Sequence, residues 1–480
     1  MSSVTDRKHQ DYNQRRINHW DLSLTTPPKL FCFGNYYRNR LQEVFKYNTP
    51  PQSRVLELGC GFGNLLASLE PAYGVGVDFS EKAIKLARHD HPDLTFIQAD
   101  AGNLNLEETF DIIVLSDLIN DVWDVKEVFD TAKRHSKAGT RILINFYSHL
   151  WEFPLKSAQR LGFARSTLDQ NWLTLPDVLN LLNHAGLELI RSTQEVLLPI
   201  SIPFLSKVFN RYFVKLWPFS ALALTNFVVA RPITTRAIAQ EPPTVSVIVP
   251  ARNESGNIEE IIERMPNMGK NTEIIFVEGH SSDDTYEAIE RAINNHPDRQ
   301  CSLYRQTGKG KGDAVRLGYD VASGGILMIL DADLSVAPEA LEQFYEAVST
   351  NRCEFANGVR LVYPMDREAM RFLNLLGNKF FSAVFSWLLG QPLKDTLCGT
   401  KVLWREDYQK IKANRSYFGD FDPFGDFDLI FGAARLNLRI SDIPLRYRER
   451  TYGSTNIRRW KHGMLLIKMV LFAMRRIKFI

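Results

Sequence analysis

The stretch VLELGCGFGNLLASL, residues 55–69, joins an apolar run to a glycine-rich turn and then to a leucine pattern typical of a helix start. A strand, a turn and a helix in this order form the repeating unit of sheets covered by helices. The glycines let the backbone approach a ligand closely, and the helix N-terminus favours an electron-rich group. The stretch therefore predicts an α/β fold with a ligand site at the turn.

Polar residues follow each of the next three predicted strands. YGVGVDFS ends near Asp78, FIQADAGNL places Asp100 after the third strand, and FDIIVLSDLIND places Ser116 and Asp117 at the tip of the fourth. An acid about 20 residues past a glycine turn is placed to bind a ribose diol. The glycine turn alone would also fit a tight turn ahead of a packed helix, but the ordered polar residues favour a nucleoside site.

Composition sets the broad class of the protein. The 480 residues are 45% hydrophobic and 24% charged, with a formal net charge of +3. We expect roughly two to four globular domains and no nucleic-acid partner. The five scattered cysteines predict neither a disulfide framework nor a zinc site and favour a cytoplasmic location. The polar N-terminus predicts no secretory signal, and no apolar run is long enough to predict a transmembrane helix.

A proline-containing segment divides the chain. ARPITTRAIAQEPPT lacks helical or strand periodicity and precedes a new strand, VSVIVP. Alternating strand and helix patterns occur on both sides of it, which is the pattern expected of parallel sheets covered by helices. We therefore predict a first domain over residues 1–230, a linker over 231–243 and a second domain over 244–480.

Two aspartates, Asp331 and Asp333, follow the apolar run of ILMILDADLS in the second half. Carboxylates this close repel each other, and the pair becomes favourable when a hard divalent cation joins it to phosphate oxygens. The alternative is a solvated turn whose acids cap the next helix, where Ser335 already marks a helix start. TGKGKGDAVRLG adds lysines on a glycine turn ahead of a helix, which fits an anion site around Lys311.

The first half resembles the class I S-adenosylmethionine-dependent methyltransferases over about residues 30–230, and the resemblance rests on LELGCGFG and the acids that follow it. It implies a Rossmann-like domain in which the glycine turn holds the methionine moiety of the cofactor, Asp78 the ribose and Asp100 the adenine. The cofactor-binding positions implied are Glu57, Gly59, Gly61, Gly63, Asp78, Asp100 and Ser116. His149 and Asp117 are candidate bases for a weakly nucleophilic acceptor, although each also fits a structural role.

The second half resembles the family 2 glycosyltransferases of the GT-A fold, and most of all the polyprenyl-phosphate hexose synthases. The motifs VSVIVPARNE, VEGHSSDDT, GKGKGDAVRLG, DADLS, DTLCGTK and GDFDLIFGA occur in the family's order over about residues 244–480. The resemblance implies a second Rossmann-like domain that binds a UDP- or GDP-hexose, with Mg²⁺ or Mn²⁺ on Asp331 and Asp333. The nucleotide-sugar positions implied are Pro250, Arg252, Glu254, Glu278, Asp283, Lys311, Asp331 and Asp333. Glu278 and Gly279 depart from the family's acidic pair, which leaves the nucleotide base open.

Transfer to an acceptor requires further residues. A hydroxyl acceptor needs a carboxylate base, for which Asp426 and Asp428 are candidates beside Asp333, and the alternative is that Asp426 and Asp428 are ordinary acids at a helix N-terminus. Guanidinium groups match phosphate oxygens, so Arg360 and Arg371 are the expected contacts for an acceptor phosphate. By resemblance, Arg450 and Ser454 belong to a basic loop that closes over the donor.

Two segments combine basic and apolar residues in a way that suits a membrane surface. They are the last 26 residues and the stretch LLPISIPFLSKVFNRYFVKLW, residues 197–217. The alternative for the C-terminal segment is a helix packed on the domain through one apolar face.

The sequence thus predicts a bifunctional enzyme that lies on the cytoplasmic membrane face and glycosylates a lipid phosphate. The alternative is a glycosyltransferase that acts on a glycan or protein hydroxyl, with the first half a ligand-binding or scaffold domain.

Overall fold

The computed structural model describes residues 2–25, 33–161, 167–233, 241–360, 362–363, 372–415, 425–447 and 459–480. The chain forms two compact units, one of Met1–Thr234 with Phe479–Ile480 and one of Thr235–Lys478. Each unit contains a seven-stranded sheet. The prediction of two α/β, Rossmann-like domains is confirmed.

The first unit is built on a sheet of strand order β3-β2-β1-β4-β5-β7-β6. Its strands are β1 (Arg54–Leu58), β2 (Tyr73–Asp78), β3 (Thr95–Gln98), β4 (Phe110–Ser116), β5 (Ser136–Tyr147), β6 (Leu187–Glu195) and β7 (Thr225–Pro232). Its helices are α1 (Ser2–Thr25), α2 (Phe33–Asn48), α3 (Asn64–Ser68), α4 (Glu81–Asp90), α5 (Val125–Arg134), α6 (Glu152–Arg160), α7 (Leu175–His184) and α8 (Leu205–Arg211).

Burial and capping explain this arrangement. The central strands are continuous apolar runs because helices cover both faces of the sheet. Ser80 caps α4 by accepting a hydrogen bond from the Ala83 N–H, and Thr174 forms a capping box with Asp177 at the start of α7. The parallel pairing expected from the alternating pattern does not extend to β7, which runs antiparallel between β5 and β6. A fully buried strand has the same apolar pattern in either direction, so its sequence does not reveal this.

The second unit has the strand order β10-β9-β8-β11-β13-β12-β14. Its strands are β8 (Val245–Ala251), β9 (Thr272–Glu278), β10 (Gln300–Arg305), β11 (Ile326–Ile329), β12 (Phe355–Val359), β13 (Lys401–Trp404) and β14 (Ile440–Pro444). Its helices are α9 (Ile258–Arg264), α10 (Thr285–Asn295), α11 (Lys311–Val321), α12 (Leu341–Ser349), α13 (Phe372–Leu389), α14 (Arg405–Ala413), α15 (Asp426–Arg435) and α16 (Arg459–Ala473). Here β13 is the strand that departs from the predicted parallel direction, because it pairs antiparallel with both β11 and β12.

The C-terminal helix α16 packs against the second unit through one face. Leu466 and Met469 are buried in the core of that unit, whereas Met464, Ile467 and Leu471 are exposed. The buried face agrees with the packed-helix alternative. The other face is exposed and carries Lys468 beside these apolar residues. Among the described helices, none combines the length and hydropathy needed to cross a bilayer.

Candidate active sites

The glycine turn of the first unit lies at the sheet position where the strand order reverses, because β1 pairs with both β2 and β4. Ligands of open α/β sheets bind outside the carboxyl ends of the strands at such a point. Gly59, Gly61 and Gly63 have φ angles of 75°, 51° and 73°, which disfavour any residue with a Cβ atom. A Cβ on Gly59 would also collide with Leu118, which follows β4. The turn therefore requires glycine.

Two acids hold this turn in place. The Gly61 N–H donates to Asp78 Oδ2 at 2.9 Å, and the Ser80 N–H donates to the other oxygen at 2.9 Å. Glu57 is buried and accepts a hydrogen bond from the Leu66 N–H at 3.0 Å. Burial raises the pKa of Glu57 to about 8 and also raises the pKa of Asp78, against the hydrogen bonds that favour both carboxylates.

A cleft that is partly open to solvent extends from this turn toward the third strand. Asp78, Asp100 and Leu118 line it together with residues of α1. From α1, the amide of Asn13 donates to Asp100 Oδ2 at 2.6 Å. The structure thus brings Gly59, Asp78 and Asp100 to one cleft and adds Asn13, which the sequence analysis missed because α1 precedes the sheet and has no motif.

Asp117 follows β4 and has a φ angle of 53°, which is unusual for a residue with a side chain. Its Oδ1 accepts hydrogen bonds from the Tyr37 hydroxyl at 2.7 Å and the Asn145 amide at 2.5 Å. Burial raises its pKa to about 6 despite these hydrogen bonds and the nearby Arg38. The neighbouring Ser116 is half-buried at the strand tip, whereas His149 is exposed.

The corresponding point in the second unit is β8, which pairs with β9 and β11. The segments after β8 and β9 are joined by hydrogen bonds: the Asn253 N–H donates to the Ser281 hydroxyl at 3.1 Å, and the Glu254 N–H donates to the Thr285 hydroxyl at 3.0 Å. Asp283 Oδ1 accepts from the Thr285 N–H at 3.1 Å. Pro250 is half-buried and Arg252 is exposed at this edge.

Glu278, which departs from the family pattern, is buried. Its carboxylate accepts a hydrogen bond from the Ser281 N–H at 2.5 Å, and Arg305 Nε lies 3.6 Å from its other oxygen. Glu278 therefore holds the turn after β9 in the described residues. The prediction that it contacts the nucleotide stays a prediction.

Lys311 and Asp331 form an ion pair at this edge, with 2.5 Å between Lys311 Nζ and Asp331 Oδ1. Burial alone would raise the pKa of the Asp331 carboxyl. The positive charges of Lys311, Lys401 and Arg360 outweigh this effect, so the pKa lies below its ordinary value. Asp333 is almost fully buried, and its Oδ1 accepts hydrogen bonds from the Ser335 N–H at 3.0 Å and the Ser335 hydroxyl at 2.6 Å. Leu334 has a φ of 52°, so the chain bends directly after Asp333.

Gly399, in the DTLCGTK motif, was not singled out by the sequence analysis. A Cβ at this position would collide with the carboxylate of Asp331 and the ammonium group of Lys311. A glycine two residues before Lys401 carries no signal by itself in one sequence. Only the fold, which places β13 beside β11, reveals that this glycine makes room for the ion pair.

These residues fit a divalent cation. Mg²⁺ and Mn²⁺ sites that handle phosphates use one or two carboxylates and complete their coordination with phosphate oxygens and water. Asp331 and Asp333 supply two carboxylates at one bend, and the space above Gly399 would be filled by any larger residue. Asp331 is paired with a lysine that a phosphate group can take over.

The two acids predicted to act as the base in sugar transfer, Asp426 and Asp428, lie at the start of α15. Gly425, with φ 72°, lies against the backbone of Gly312, which brings the start of α15 to the start of α11. Asp426 begins α15, and its side chain lies outside the described residues. Asp428 is buried, and its Oδ2 lies 3.0 Å from Arg415 Nε. This ion pair supports a structural role for Asp428 at least as well as a catalytic one.

Arg360 is held by an acid. Its Nε donates to Asp395 Oδ2 at 2.7 Å and its Nη2 donates to Oδ1 at 2.9 Å, a bidentate pair with a fully buried carboxylate. The guanidinium fork predicted to bind an acceptor phosphate is thus engaged with Asp395. Arg371, Arg450 and Ser454 lie outside the described residues.

Comparison with known proteins identifies both units. Residues 246–412 match the family model for glycosyl transferase family 2, and residues 50–183 match a methyltransferase domain model. These matches confirm the two resemblances drawn from the motifs.

Individual proteins are similar to parts of the chain. A dolichol-phosphate mannosyltransferase from Pyrococcus furiosus is 32% identical over 176 residues, which are 35% of this chain and 49% of that protein. This chain thus spans about half the length of that relative. A polyprenol monophosphomannose synthase from Mycolicibacterium smegmatis is 27% identical over 226 residues, 45% of this chain and 83% of that protein.

A solved S-adenosylmethionine dependent methyltransferase from Mesorhizobium loti has 20% sequence identity and a TM-score of 0.32, over 39% of this chain and 96% of that one. This likeness supports no inference about function. The two family matches carry the conclusion: the chain joins a methyltransferase domain to a family 2 glycosyltransferase domain, and both domains indicate an enzyme of the transferase class.

Proposed function

We propose that this protein is bifunctional, with an S-adenosylmethionine-dependent methyltransferase in the first unit and a metal-dependent hexosyltransferase in the second. The second unit transfers a hexose from a UDP- or GDP-sugar to a polyprenyl phosphate at the cytoplasmic surface of a membrane. The observation that carries this proposal is the ion pair of Lys311 and Asp331 against Gly399 at the carboxyl edge of the sheet, with Asp333 two residues further along the chain. The similarity to polyprenyl-phosphate mannosyltransferases supports the lipid acceptor.

In the second unit, Asp331 and Asp333 hold the Mg²⁺ or Mn²⁺. When bound there, the cation would supply positive charge against the leaving nucleoside diphosphate. Lys311 adds a positive charge at the start of α11, where the helix N-terminus also favours phosphate. Asp333 is held in one orientation by Ser335, which limits the reorganisation needed on donor binding. A phosphate acceptor is already ionised near neutral pH and needs alignment more than a base.

In the first unit, Gly59, Gly61 and Gly63 let the backbone approach the methionine part of the cofactor, and Asp78 binds the ribose. Asp100 and Asn13 lie where the adenine binds in this proposal. Methyl transfer from a sulfonium needs mainly alignment, because the donor is already activated. Asp117, oriented by Tyr37 and Asn145, is positioned to take a proton from a hydroxyl or amine acceptor.

One observation favours a second candidate. Because Asp395 occupies the guanidinium fork of Arg360, the described residues provide less for an acceptor phosphate than the sequence predicted. The second candidate is a glycosyltransferase whose acceptor is a glycan or protein hydroxyl, with Asp426 as base and the first unit a ligand-binding scaffold.

Labelled transfer separates the two candidates. The full chain is incubated with Mn²⁺, radiolabelled UDP- or GDP-hexoses and polyprenyl phosphate, and the products are extracted into organic solvent. We expect label in a lipid that releases hexose on mild acid treatment. Label that stays in aqueous glycan or protein supports the hydroxyl acceptor instead, and no transfer from any donor would overturn both.

A further inference from the structure

The connection between β6 and β7 is unusually long and has its own internal packing. We call residues 196–224 the β6–β7 insert; it contains α8 and two short 3₁₀ turns. Leu197, Val214 and Ala223 form a small buried cluster inside it, with Phe209, Phe213 and Phe219 packed around them. The Asn210 side chain accepts hydrogen bonds from the Leu197 and Leu198 N–H groups at 2.6 and 2.7 Å. The insert is therefore a rigid scaffold.

This scaffold exposes large apolar side chains rather than covering them. Phe204 is 84% exposed and Trp217 is 85% exposed. Ile202, Leu205, Tyr212, Leu216 and Leu222 are exposed as well. Single exposed apolar residues are ordinary, but several large ones on one short segment indicate an interaction surface.

The backbone at Phe204 is strained. Phe204 has φ 64° and ψ −49°, and the Leu205 N–H donates to the Pro203 carbonyl at 2.7 Å across it. This is the rare γ-turn with positive φ, which is unfavourable for a bulky residue. Ser206 restrains the turn, because its hydroxyl accepts a hydrogen bond from the Ile202 N–H at 2.9 Å. Strain that the surrounding structure maintains is typical of functional positions, and here it presents an aromatic ring to solvent.

The apolar surface continues onto the segment after β5. The Trp151 indole N–H donates to the Leu222 carbonyl at 2.9 Å, which joins this segment to the insert. Leu150 and Phe153, on either side of Trp151, are 63% and 80% exposed. The exposed apolar surface therefore extends beyond the insert to the segment that contains Leu150 and Phe153.

Charge indicates the kind of partner. The insert has no acidic residue and three basic ones, Lys207, Arg211 and Lys215. Lys215 is buried against Glu195, so it is neutralised, whereas Lys207 is exposed. Aromatic and leucine side chains next to an exposed lysine suit the interface of an anionic bilayer, where the rings enter the headgroup level and the ammonium group contacts lipid phosphates.

We propose that the β6–β7 insert docks the methyltransferase unit on an anionic membrane surface, with Phe204 and Trp217 inserted at the boundary between headgroups and acyl chains. This assigns membrane contact to the first unit, independently of the C-terminal helix and of either catalytic activity. It would also hold the first unit at the surface where a lipid-linked substrate is found.

Vesicle binding tests the proposal with the full chain. We expect cosedimentation with phosphatidylcholine–phosphatidylglycerol vesicles and much weaker binding to phosphatidylcholine alone. The double variant Phe204→Ser/Trp217→Ser is expected to bind the vesicles at least about tenfold more weakly, because two aromatic side chains no longer insert into the bilayer. Lys207→Ser is expected to weaken binding about fivefold, and only to the anionic vesicles.

Two controls make the result specific. Leu86→Ser changes another exposed apolar residue, 44% exposed on α4, and is expected to bind as the unchanged protein does. All variants are expected to keep the same melting temperature, since the altered side chains are exposed. Brominated lipids should quench tryptophan fluorescence less in Trp217→Phe than in the unchanged protein.

Two outcomes would overturn the proposal. Vesicle binding that keeps its full strength in the double variant would place the membrane contact elsewhere. Absence of vesicle binding, together with self-association that the double variant abolishes, would show that a second copy of this chain covers the insert.

Discussion

Lys311 Nζ lies 2.5 Å from Asp331 Oδ1, so the carboxylate expected to bind a cation is already paired with an ammonium group. Both side chains are partly exposed, at 27% and 29%. The lysine therefore neutralises Asp331 when no divalent ion is bound and must move, or share the carboxylate, when one arrives. Its release would free a positive charge for the donor diphosphate.

Replacing Lys311 should have opposite effects on two ligands. We expect Lys311→Met to bind Mn²⁺ alone a few-fold more tightly, because the competing cation is gone, and to bind UDP or GDP in the presence of Mn²⁺ about tenfold more weakly. Electron paramagnetic resonance of free Mn²⁺ and calorimetry measure the two affinities. Lys309→Met, an exposed lysine on the same turn, is the matched control and should change neither strongly. If Lys311→Met binds both Mn²⁺ and the nucleotide more weakly, Lys311 does not compete with the cation for Asp331.

A substitution at Gly399 tests whether the ion pair of Lys311 and Asp331 needs the space that this glycine leaves. A Cβ at this position collides with Asp331 and Lys311, so Gly399→Ala should displace them and reduce Mn²⁺-dependent transfer by an order of magnitude or more. Gly325→Ala is the control, since its Cβ would meet only ordinary contacts at 3.7 Å or more. Steady-state kinetics at saturating Mn²⁺ compares the two. Normal activity in Gly399→Ala would show that this space is not needed.

Asp426 and Asp428 should separate into different roles. Asp428 is buried against Arg415, so we expect Asp428→Asn to destabilise the protein by about 1–3 kcal/mol, because a charged hydrogen bond is lost. If the acceptor is a hydroxyl, Asp426→Asn should lower kcat, because Asp426 is the base of that candidate. Denaturant unfolding and kinetics on both variants decide the assignment. A large loss of kcat at unchanged stability in Asp428→Asn would return the catalytic role to that residue.

Asp117 can be tested without knowing the methyl acceptor. Sinefungin carries an amino group where S-adenosylmethionine carries its sulfonium methyl, so a carboxylate facing that position should prefer it to S-adenosylhomocysteine. We expect Asp117→Asn to reduce this preference about tenfold, at a pH above the carboxyl pKa of about 6, and to leave S-adenosylhomocysteine binding unchanged. Asp78→Asn should weaken both ligands. Binding of neither ligand to the unchanged protein would refute the cofactor site itself, whereas an unchanged preference would refute only the role of Asp117.

The raised pKa of Glu57 predicts that the stability of the protein depends on pH. Burial raises its pKa to about 8 from 4.5, so the folded state favours the protonated acid. The stability associated with this group is fully present below about pH 4.5 and is lost as pH rises through about 8. Glu57→Gln keeps the hydrogen bond from Leu66 without a charge, so its melting temperature should exceed that of the unchanged protein increasingly from pH 5 to pH 9. A constant difference across this range would contradict the shift.

The sequence predicted those features that a local pattern encodes. The glycine turn, the acids after β2 and β3, and the pair of Asp331 and Asp333 after β11 each follow from a short segment, and the structure brings Asp78 and Asp100 to one cleft. The antiparallel β7 and β13, Asn13 over the first site and Gly399 under the second depend on tertiary neighbours instead. The pairing of Arg360 with Asp395 joins residues 35 positions apart, which no local pattern encodes.

The central claim is that Asp331 and Asp333 hold a divalent cation together with a nucleoside diphosphate, and calorimetric binding of UDP and GDP with and without Mn²⁺ tests it most directly. The account predicts that Mn²⁺ strengthens the binding of at least one nucleotide about tenfold or more, and that Asp333→Ala abolishes this gain in a chain that is still folded at the temperature of the measurement. Nucleotide binding that is equally tight without Mn²⁺, or a gain that Asp333→Ala retains, would contradict the account.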